Sequence, residues 1–398
     1  MSFKRKIAIS VAIASFMMLF SYFVTNIGFP ISGEKTVLIY CNKVKTVFNP
    51  AEDSSDDNRV NDSVTFVNVS YDLELIDKVV DGEAIGNTVV VDRKKLYDLL
   101  SYLDKKRDYK YILLDIFFEK GNSTPIDNAL FSLINRMPRI VIPYSGERKD
   151  TLADARLYDK AGRASYFPTM LETDFVKYPY YPDGIKSLPL MMYEDKDLYA
   201  NNLHSYWLWY SDNWRLARKS VILNMETSLP GTIQNLGELV NPQSPLIEVD
   251  TTLTSNKYII IGDFFERDKH NTYKGEIPGS IILFNAYLAL LHGQHILSLW
   301  IGLLLFLLFF FHAYIILSRT TLYDLLILKV KPTSKWGMRI NRVCLFLVYW
   351  LDFPICLTIL CAITYFVEGK TYDILITSLC FQIIKFVTDY ILKKGKAL

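Results

Sequence analysis

Apolar runs long enough to cross a bilayer lie at the two ends of this chain, separated by a long soluble stretch, and that layout limits what it can fold into. A helix needs about 20 apolar residues to span a hydrocarbon core. Ile7 to Val24 is one such run, preceded by Lys4, Arg5 and Lys6. Ile296 to Leu317 is a second, free of Asp, Glu, Lys and Arg. Val343 to Val367 is a third, broken by Asp352 and Pro354. Tyr372 to Leu392 is a weaker fourth that carries Asp373, Lys385 and Asp389.

Basic residues give the orientation, because Lys and Arg in short loops stay on the cytoplasmic side. The connector between the second and third runs holds Arg319, Lys329, Lys331, Lys335, Arg339 and Arg342, and the tail holds Lys393, Lys394 and Lys396. With the N-terminus inside, four crossings put all three basic segments on one side and the soluble stretch outside. The first run is either a cleaved signal or an uncleaved anchor. Its length and the lack of a small-x-small site before Thr25-Asn26-Ile27 favour the anchor. The expected organisation is a tip and first span over 1–27, an extracytoplasmic domain over 28–293, and a three-helix membrane region over 294–398 with a basic loop at 318–342. The setting is a bacterial inner membrane, with the main domain periplasmic and both termini cytoplasmic.

A net charge of +2 without a strongly basic soluble segment argues against nucleic-acid binding. Cys344, Cys356, Cys361 and Cys380 fall in the expected membrane helices, leaving Cys41 alone outside. No disulfide or zinc-binding set is available there, and neither a metal nor a cofactor is expected. The five histidines show no H-x-x-x-H or H-E-x-x-H spacing, and no G-x-S-x-G or G-x-x-x-x-G-K motif occurs, so the chain reads as a non-enzyme.

Within the soluble stretch, β-branched and aromatic runs predict buried strands at Thr36 to Tyr40, Val64 to Val69, Tyr109 to Phe117, Arg139 to Pro143, Val221 to Asn224 and Lys257 to Gly262. Asp92 caps a helix with a stripe at Leu96, Leu99, Leu100 and Leu103. Thr124-Pro125 opens another with Leu130, Leu133 and Ile134 inward. Alternating strand and helix predicts an α/β domain with a largely parallel sheet. The acidic stretch Asp53 to Asp62 reads as a surface loop. Residues 144–220, rich in Tyr, Pro and Trp, read as an irregular insertion, partly helical from Asp197 to Trp214. Pro278-Gly279 starts a helix through Ile282, Ala286, Leu290 and Leu291 that leads into the second span.

Ordered motifs then resemble the second class of CHASE domains, the cyclase/histidine-kinase-associated sensory extracellular modules. Val67-Asn-Val-Ser-Tyr-Asp-Leu-Glu-Leu is similar to the opening strand and turn, and Arg93 falls where an aromatic-proline motif ends. Asp115 and Phe118 match a strand end, and Ile126-Asp-Asn-Ala-Leu the next helix start. Tyr258-Ile-Ile-Ile-Gly-Asp, Asp268 and Ile277-Pro-Gly-Ser through Asn285-Ala are similar to the C-terminal signature. The resemblance implies one membrane helix before the domain and three after it. The family's Trp-Pro-Trp element is Val89-Val90-Val91 here, and no cytoplasmic output domain is expected in this chain.

Ligands bind at the C-terminal edge of open parallel sheets. Asp115, Asp263, Asp268 and His270 are candidates for that edge, with Arg93 and Asp127 opening helices toward it. They form either a pocket for a small charged ligand or cation, or a structural network. The aromatic insertion either contacts a ligand or covers a core or membrane surface. Asp352 and Lys385 are expected to pair within the membrane, since charges there need partners. Arg319, Lys331, Trp336 and Arg339 are candidates for a cytoplasmic contact. The expected function is a membrane-anchored sensor or receptor subunit that signals to a separate cytoplasmic or membrane effector, either as a single copy or as a homo-oligomer in the lipid bilayer. The alternative is a structural subunit of an envelope complex with no ligand.

Overall fold

The computed structural model describes residues 1–27, 38–44, 63–80, 83–145, 149–164, 175–181, 184–195, 202–206, 209–225, 227, 233–240, 254–265, 267–318, 335–370 and 375–394. They divide into two compact units, 44–295 and a second made of 1–43 with 296–398.

The chain begins with an apolar helix, α1 (Phe3–Thr25), and enters the first unit at strand β1 (Val64–Asn68). A hairpin of β2 (Leu73–Val80) and β3 (Glu83–Val91) precedes helix α2 (Arg93–Lys106), then β4 (Tyr111–Leu114), α3 (Asp127–Arg136), β5 (Ile140–Tyr144) and β6 (Ala161–Arg163). Next come β7 (Lys177–Pro179), α4 (Leu188–Tyr193), β8 (Leu203–Ser205), β9 (Tyr210–Asp212), β10 (Arg215–Ala217) and β11 (Ser220–Ile222). The unit finishes with β12 (Gln234–Asn235), α5 (Leu236–Leu239), β13 (Tyr258–Gly262), the hairpin β14 (Lys269–Thr272) and β15 (Gly275–Pro278), and α6 (Gly279–Leu291).

Six strands form one parallel sheet in the order β12-β1-β13-β4-β5-β6. Its central strands are buried on both faces, as a parallel sheet covered by helices requires. Alternate residues serve different cores. Phe66, Ile260 and Leu113 face α4 and α6, whereas Val67, Ile261 and Leu114 face α2, α3 and α5. Asp92 caps α2 by accepting from Lys95 N at 3.0 Å, and the buried stripe is the expected Leu96, Leu99, Leu100 and Leu103. α6 is apolar all round and buried from Gly279 to Leu290, the pattern of a core helix. Each fully buried Leu, Ile or Phe there contributes about 1.5–3 kcal/mol. Its one polar side chain at mid-length, Asn285, is satisfied by Thr227 N and O and Ile281 O.

Several expectations need correction. Residues 38–44, which overlap the strand expected from Thr36 to Tyr40, are helical, and 38–43 belong to the unit that holds the long apolar helices. Leu38 and Cys41, three apart, are buried on one helical face. The helix expected near Asp197 to Trp214 is instead an antiparallel sheet, β8-β9-β10. The run at Val221 pairs antiparallel with β7 and stays outside the main sheet. The insertion is ordered wherever it is described: β6 extends the main sheet, and a 3-10 helix covers Ala155–Lys160. These strands are three residues long, too short for a hydrophobic period, so only partners on other segments define them. The acidic stretch Asp53 to Asp62 lies outside the described residues.

The second unit packs α1 with α7 (Leu299–Ser318), α8 (Lys335–Glu368) and α9 (Leu375–Lys394). Among the described residues, three helices are long and apolar enough to cross a membrane: Phe3–Thr25, Leu299–Ser318 and Trp350–Glu368. α9 forms a 20-residue helix, but it is not among them; Lys385 and Asp389 interrupt it. Ala14, Phe309, Phe353 and Phe381 share the bundle's core. Lys6 Nζ donates to Ser318 Oγ at 3.5 Å, which brings the basic start of the chain and the end of α7 to the same end of the bundle.

Candidate functional site

Asp115 is the residue that follows β4, and its backbone N–H still donates to Ile261 O of β13 at 2.8 Å. That contact fixes the carboxyl at the C-terminal edge of the central strands. On β13, Gly262 ends at the first turn of α6. A Cβ there would lie 3.0 Å from Ser280 Cβ and 3.5 Å from Asp115 Cβ, so glycine allows strand, helix and carboxyl to meet. Gly279 has the same role for Asp268: a Cβ would sit 2.2 Å from Asp268 Oδ2. Gly279 N donates to Asp268 O at 2.8 Å, so Asp268 is seated on the N-terminus of α6, where the helix dipole favours negative charge.

These elements enclose a cavity of about 450 Å³. Asp115, Asp268 and His270 supply its polar wall, with Lys269 and Asn271 at the hairpin. Phe117, Phe175, Tyr178, Ile282 and Leu283 supply the apolar wall. Phe175 stacks on Tyr178 at 6.0 Å and meets the His270 ring edge-on at 6.1 Å. Burial pushes the Asp115 carboxyl well above its usual range, and the nearby Asp268 charge pushes it further. A hydrogen bond to Asp268 Oδ1 at 3.0 Å raises His270, against the opposing effect of burial. The wall therefore carries a carboxyl held toward its neutral form and a second carboxyl hydrogen-bonded to an imidazole that is held toward its cationic form. Such a set has the chemistry to hold a small polar ligand or to transfer a proton, since perturbed acid and base groups in one cleft suit both tasks. Among the described residues, no cluster of His, Cys, Asp and Glu is arranged to hold a metal ion.

Of the six residues expected to share one pocket, the structure brings Asp115, Asp268 and His270 together and separates the other three. Arg93, 1% exposed, lies 4.3 Å above the Phe118 ring with Nε 3.9 Å from Asp127 Oδ1. Burial lowers the pKa of its guanidinium, against the pull of Asp127 and Glu74. Asp127 accepts from Thr124 N at 2.9 Å and from Thr124 Oγ1 at 2.8 Å, closing the start of α3. Asp263 accepts from Ser70 Oγ and from Phe265 N in the turn after β13. These three order helix and strand ends, because each carboxylate is satisfied by a group close to it in the chain or in the sheet.

Sequence reasoning missed a second acid–histidine pair. Asp212 Oδ2 accepts from Tyr193 Oη at 2.8 Å and lies 2.9 Å from His295 Nε2, and the Asp212 and His295 side chains both have 0% exposure. Burial alone would raise Asp212, but hydrogen bonds from His295 and Tyr193 outweigh it and hold the carboxyl below its ordinary value. Burial pushes His295 below its ordinary value as well. The pair is thus a carboxylate accepting from a neutral imidazole. Eighty-three positions separate the two residues, so no local pattern could reveal them.

In the helical unit, Lys385 Nζ lies 3.0 and 3.3 Å from the Asp352 oxygens. Pro354 has no N–H to offer Trp350 O one turn back. Gln382 Nε2 of α9 donates to that carbonyl at 2.7 Å instead. Arg319 and Lys331 lie outside the described residues, and Trp336 and Arg339 fall on the first turns of α8.

No family model and no solved structure matches this chain. A curated enzyme is similar over part of it: the UDP-N-acetylglucosamine--N-acetylmuramyl-(pentapeptide) pyrophosphoryl-undecaprenol N-acetylglucosamine transferase of Geobacillus kaustophilus (strain HTA426). Identity is 28% over 113 residues, which is 28% of this chain and 28% of that protein. The chain therefore spans little more than a quarter of that relative's length. The similarity to a transferase, though confined to this stretch, overturns the reading of the chain as a non-enzyme, which rested on motifs of hydrolases and phosphate-binding loops that a glycosyltransferase does not need.

Proposed function

We propose that the chain is a membrane-anchored receptor of the CHASE type whose 44–295 unit binds a small polar ligand in the Asp115–Asp268–His270 cavity and passes its occupancy to the membrane helices. One observation carries this reading: the first turn of α6 is part of the cavity wall, through Gly279, Ile282 and Leu283. A ligand held between Asp115 and this turn acts directly on a helix whose chain runs on, after 292–298, into α7. Such coupling requires the ligand to prefer one of two helix positions.

In this proposal α9 is a fourth span, its charge neutralised by the Asp352–Lys385 pair. The ligand-binding unit is periplasmic, the termini and the basic 318–342 segment, which ends in the first turns of α8, are cytoplasmic, and that segment meets a separate effector. The clustering of Lys6 with the end of α7 supports this orientation, because it gathers basic segments on one side of the bundle.

The partial similarity to the transferase favours a second reading, in which the same acid, carboxylate and imidazole act on a sugar-bearing substrate. One experiment separates the two. The full chain in lipid nanodiscs and its Ile282→Trp variant, which fills the cavity, are screened by thermal shift against fractionated small-molecule extracts and against UDP-N-acetylglucosamine. The receptor reading expects a fraction that stabilises only the wild type and is recovered unchanged. Release of UDP by the wild type alone supports the transferase reading. Equal responses of both proteins to every sample reject the cavity as the site.

A further inference from the structure

We infer that the ligand of the Asp115–Asp268–His270 cavity is an organic primary amine, its ammonium group held by the Asp115 carboxyl and its apolar body lying against Phe117, Ile282 and Leu283. This inference rests on the reading of the cavity as a ligand site and adds the class of ligand. Asp115 lines the cavity from the end of a central strand, yet no described residue forms a hydrogen bond or ion pair with its carboxyl. Burial and the like charge of Asp268 are what act on it. The positive features of the wall serve the second acid instead. Gly279 N, at the start of α6, donates to Asp268 O, and His270 Nε2 lies 3.0 Å from Asp268 Oδ1. Lys269 is exposed, and strand alternation turns it to the face of β14 opposite His270. Asp115 is therefore the charge-bearing group that the fold leaves for a ligand.

The aromatic part of the wall suits the same charge. Phe175 and Tyr178 stack with centroids 6.0 Å apart, and Phe117 stands two residues after Asp115. A cation within about 6 Å of an aromatic ring is attracted by the ring's quadrupole, more strongly where water is scarce. An anion would meet two carboxyl groups and the same rings. A metal ion is not served either, because among the described residues no cluster of His, Cys, Asp and Glu could hold one. An ammonium group supplies N–H donors for Asp115 and a positive charge for the rings, while its stem suits Ile282 and Leu283. Its arrival also moves a proton. Burial holds the Asp115 carboxyl toward its neutral form, and a cation beside it favours the ionised form, so binding releases the proton. The other titratable groups of the wall are Asp268, Lys269 and His270 of the hairpin and Tyr178 of β7, and the α6 residues carry none. Rising pH ionises Asp115 and neutralises His270, and both changes strengthen amine binding.

The test is isothermal titration calorimetry on the full chain in lipid nanodiscs. Phenethylamine and isoamylamine are each set against the alcohol and the carboxylate with the same body. The expected result is an amine that binds at least about tenfold tighter than its alcohol, the scale of one charge-assisted hydrogen bond. Asp115→Asn should remove that preference, and titrations of the wild type in phosphate and in Tris should show net proton release, a readout that does not depend on the variant folding. A preference for the alcohol or carboxylate that Ile282→Trp abolishes overturns the amine class and leaves the cavity as the site. Equal amine binding by the wild type and Ile282→Trp overturns the site as well. Failure of both amines to bind, binding unchanged in Asp115→Asn, or binding without proton release overturns the inference.

Discussion

Two aspartate–histidine pairs in this protein have nearly the same separation, 3.0 Å at Asp268–His270 and 2.9 Å at Asp212–His295, yet opposite electrostatics. At the cavity, side chains about 40% exposed keep enough water for the hydrogen bond to dominate, and His270 is pushed up. In the core, full burial dominates, and His295 is pushed down. Distance alone therefore does not decide protonation; the cost of removing a charge from water does. The first pair lines the cavity, and the second holds the β8–β10 sheet to the end of its unit.

The largest effect that would sharpen this contrast is expected from Asp212→Ala. It strands the Tyr193 hydroxyl and the His295 N–H without an acceptor, a loss of about 4 kcal/mol at roughly two per buried group. Denaturant melts of the full chain in detergent would read it, and a loss under half that size breaks the distinction. Asp352→Ala should follow, at about 2–3 kcal/mol, because it removes the carboxylate that Lys385 Nζ meets at 3.0 Å in the bundle. The double change with Lys385→Ala should cost less than the single one, and additive losses in melts of the helical unit would argue against a working pair. Asp268→Ala should lower stability by less than about 1 kcal/mol, since solvent screens a half-exposed pair.

The smallest effect is one of sign. Because the folded pKa of His270 is raised, its contribution is fully present below the ordinary value near 6.5 and fades as pH climbs through the folded pKa. For His295 the folded pKa is lowered, so its contribution is present above 6.5 and fades as pH falls through the folded value. Ring-carbon NMR titrations of labelled histidines should give one midpoint on each side of 6.5, and two midpoints on the same side would collapse the comparison.

Much of this was legible in the residues. Leu96, Leu99, Leu100 and Leu103 marked α2, and the all-apolar runs at Tyr111 and Tyr258 marked doubly covered strands, because a helical stripe and a buried parallel strand leave local patterns. Asp115 was found from strand polarity. The grouping of Arg93, Asp127 and Asp263 with it failed, since helix-start and turn residues share the same composition whether they cap an end or face a ligand. β6 and β8 to β10 were misread, because strands of three residues carry no period and are defined by partners elsewhere.

Taken alone, the sequence determined the parallel sheet, its crossover helices and the apolar ends, all properties that neighbouring residues impose on each other through periodicity and hydropathy. Only the tertiary structure decided that Asp268 rests on α6 beside Asp115, that His295 meets Asp212, and that Gln382 satisfies the carbonyl orphaned by Pro354. Those outcomes depend on which distant groups are brought together and how much water remains around them, and no local stretch of chain encodes either.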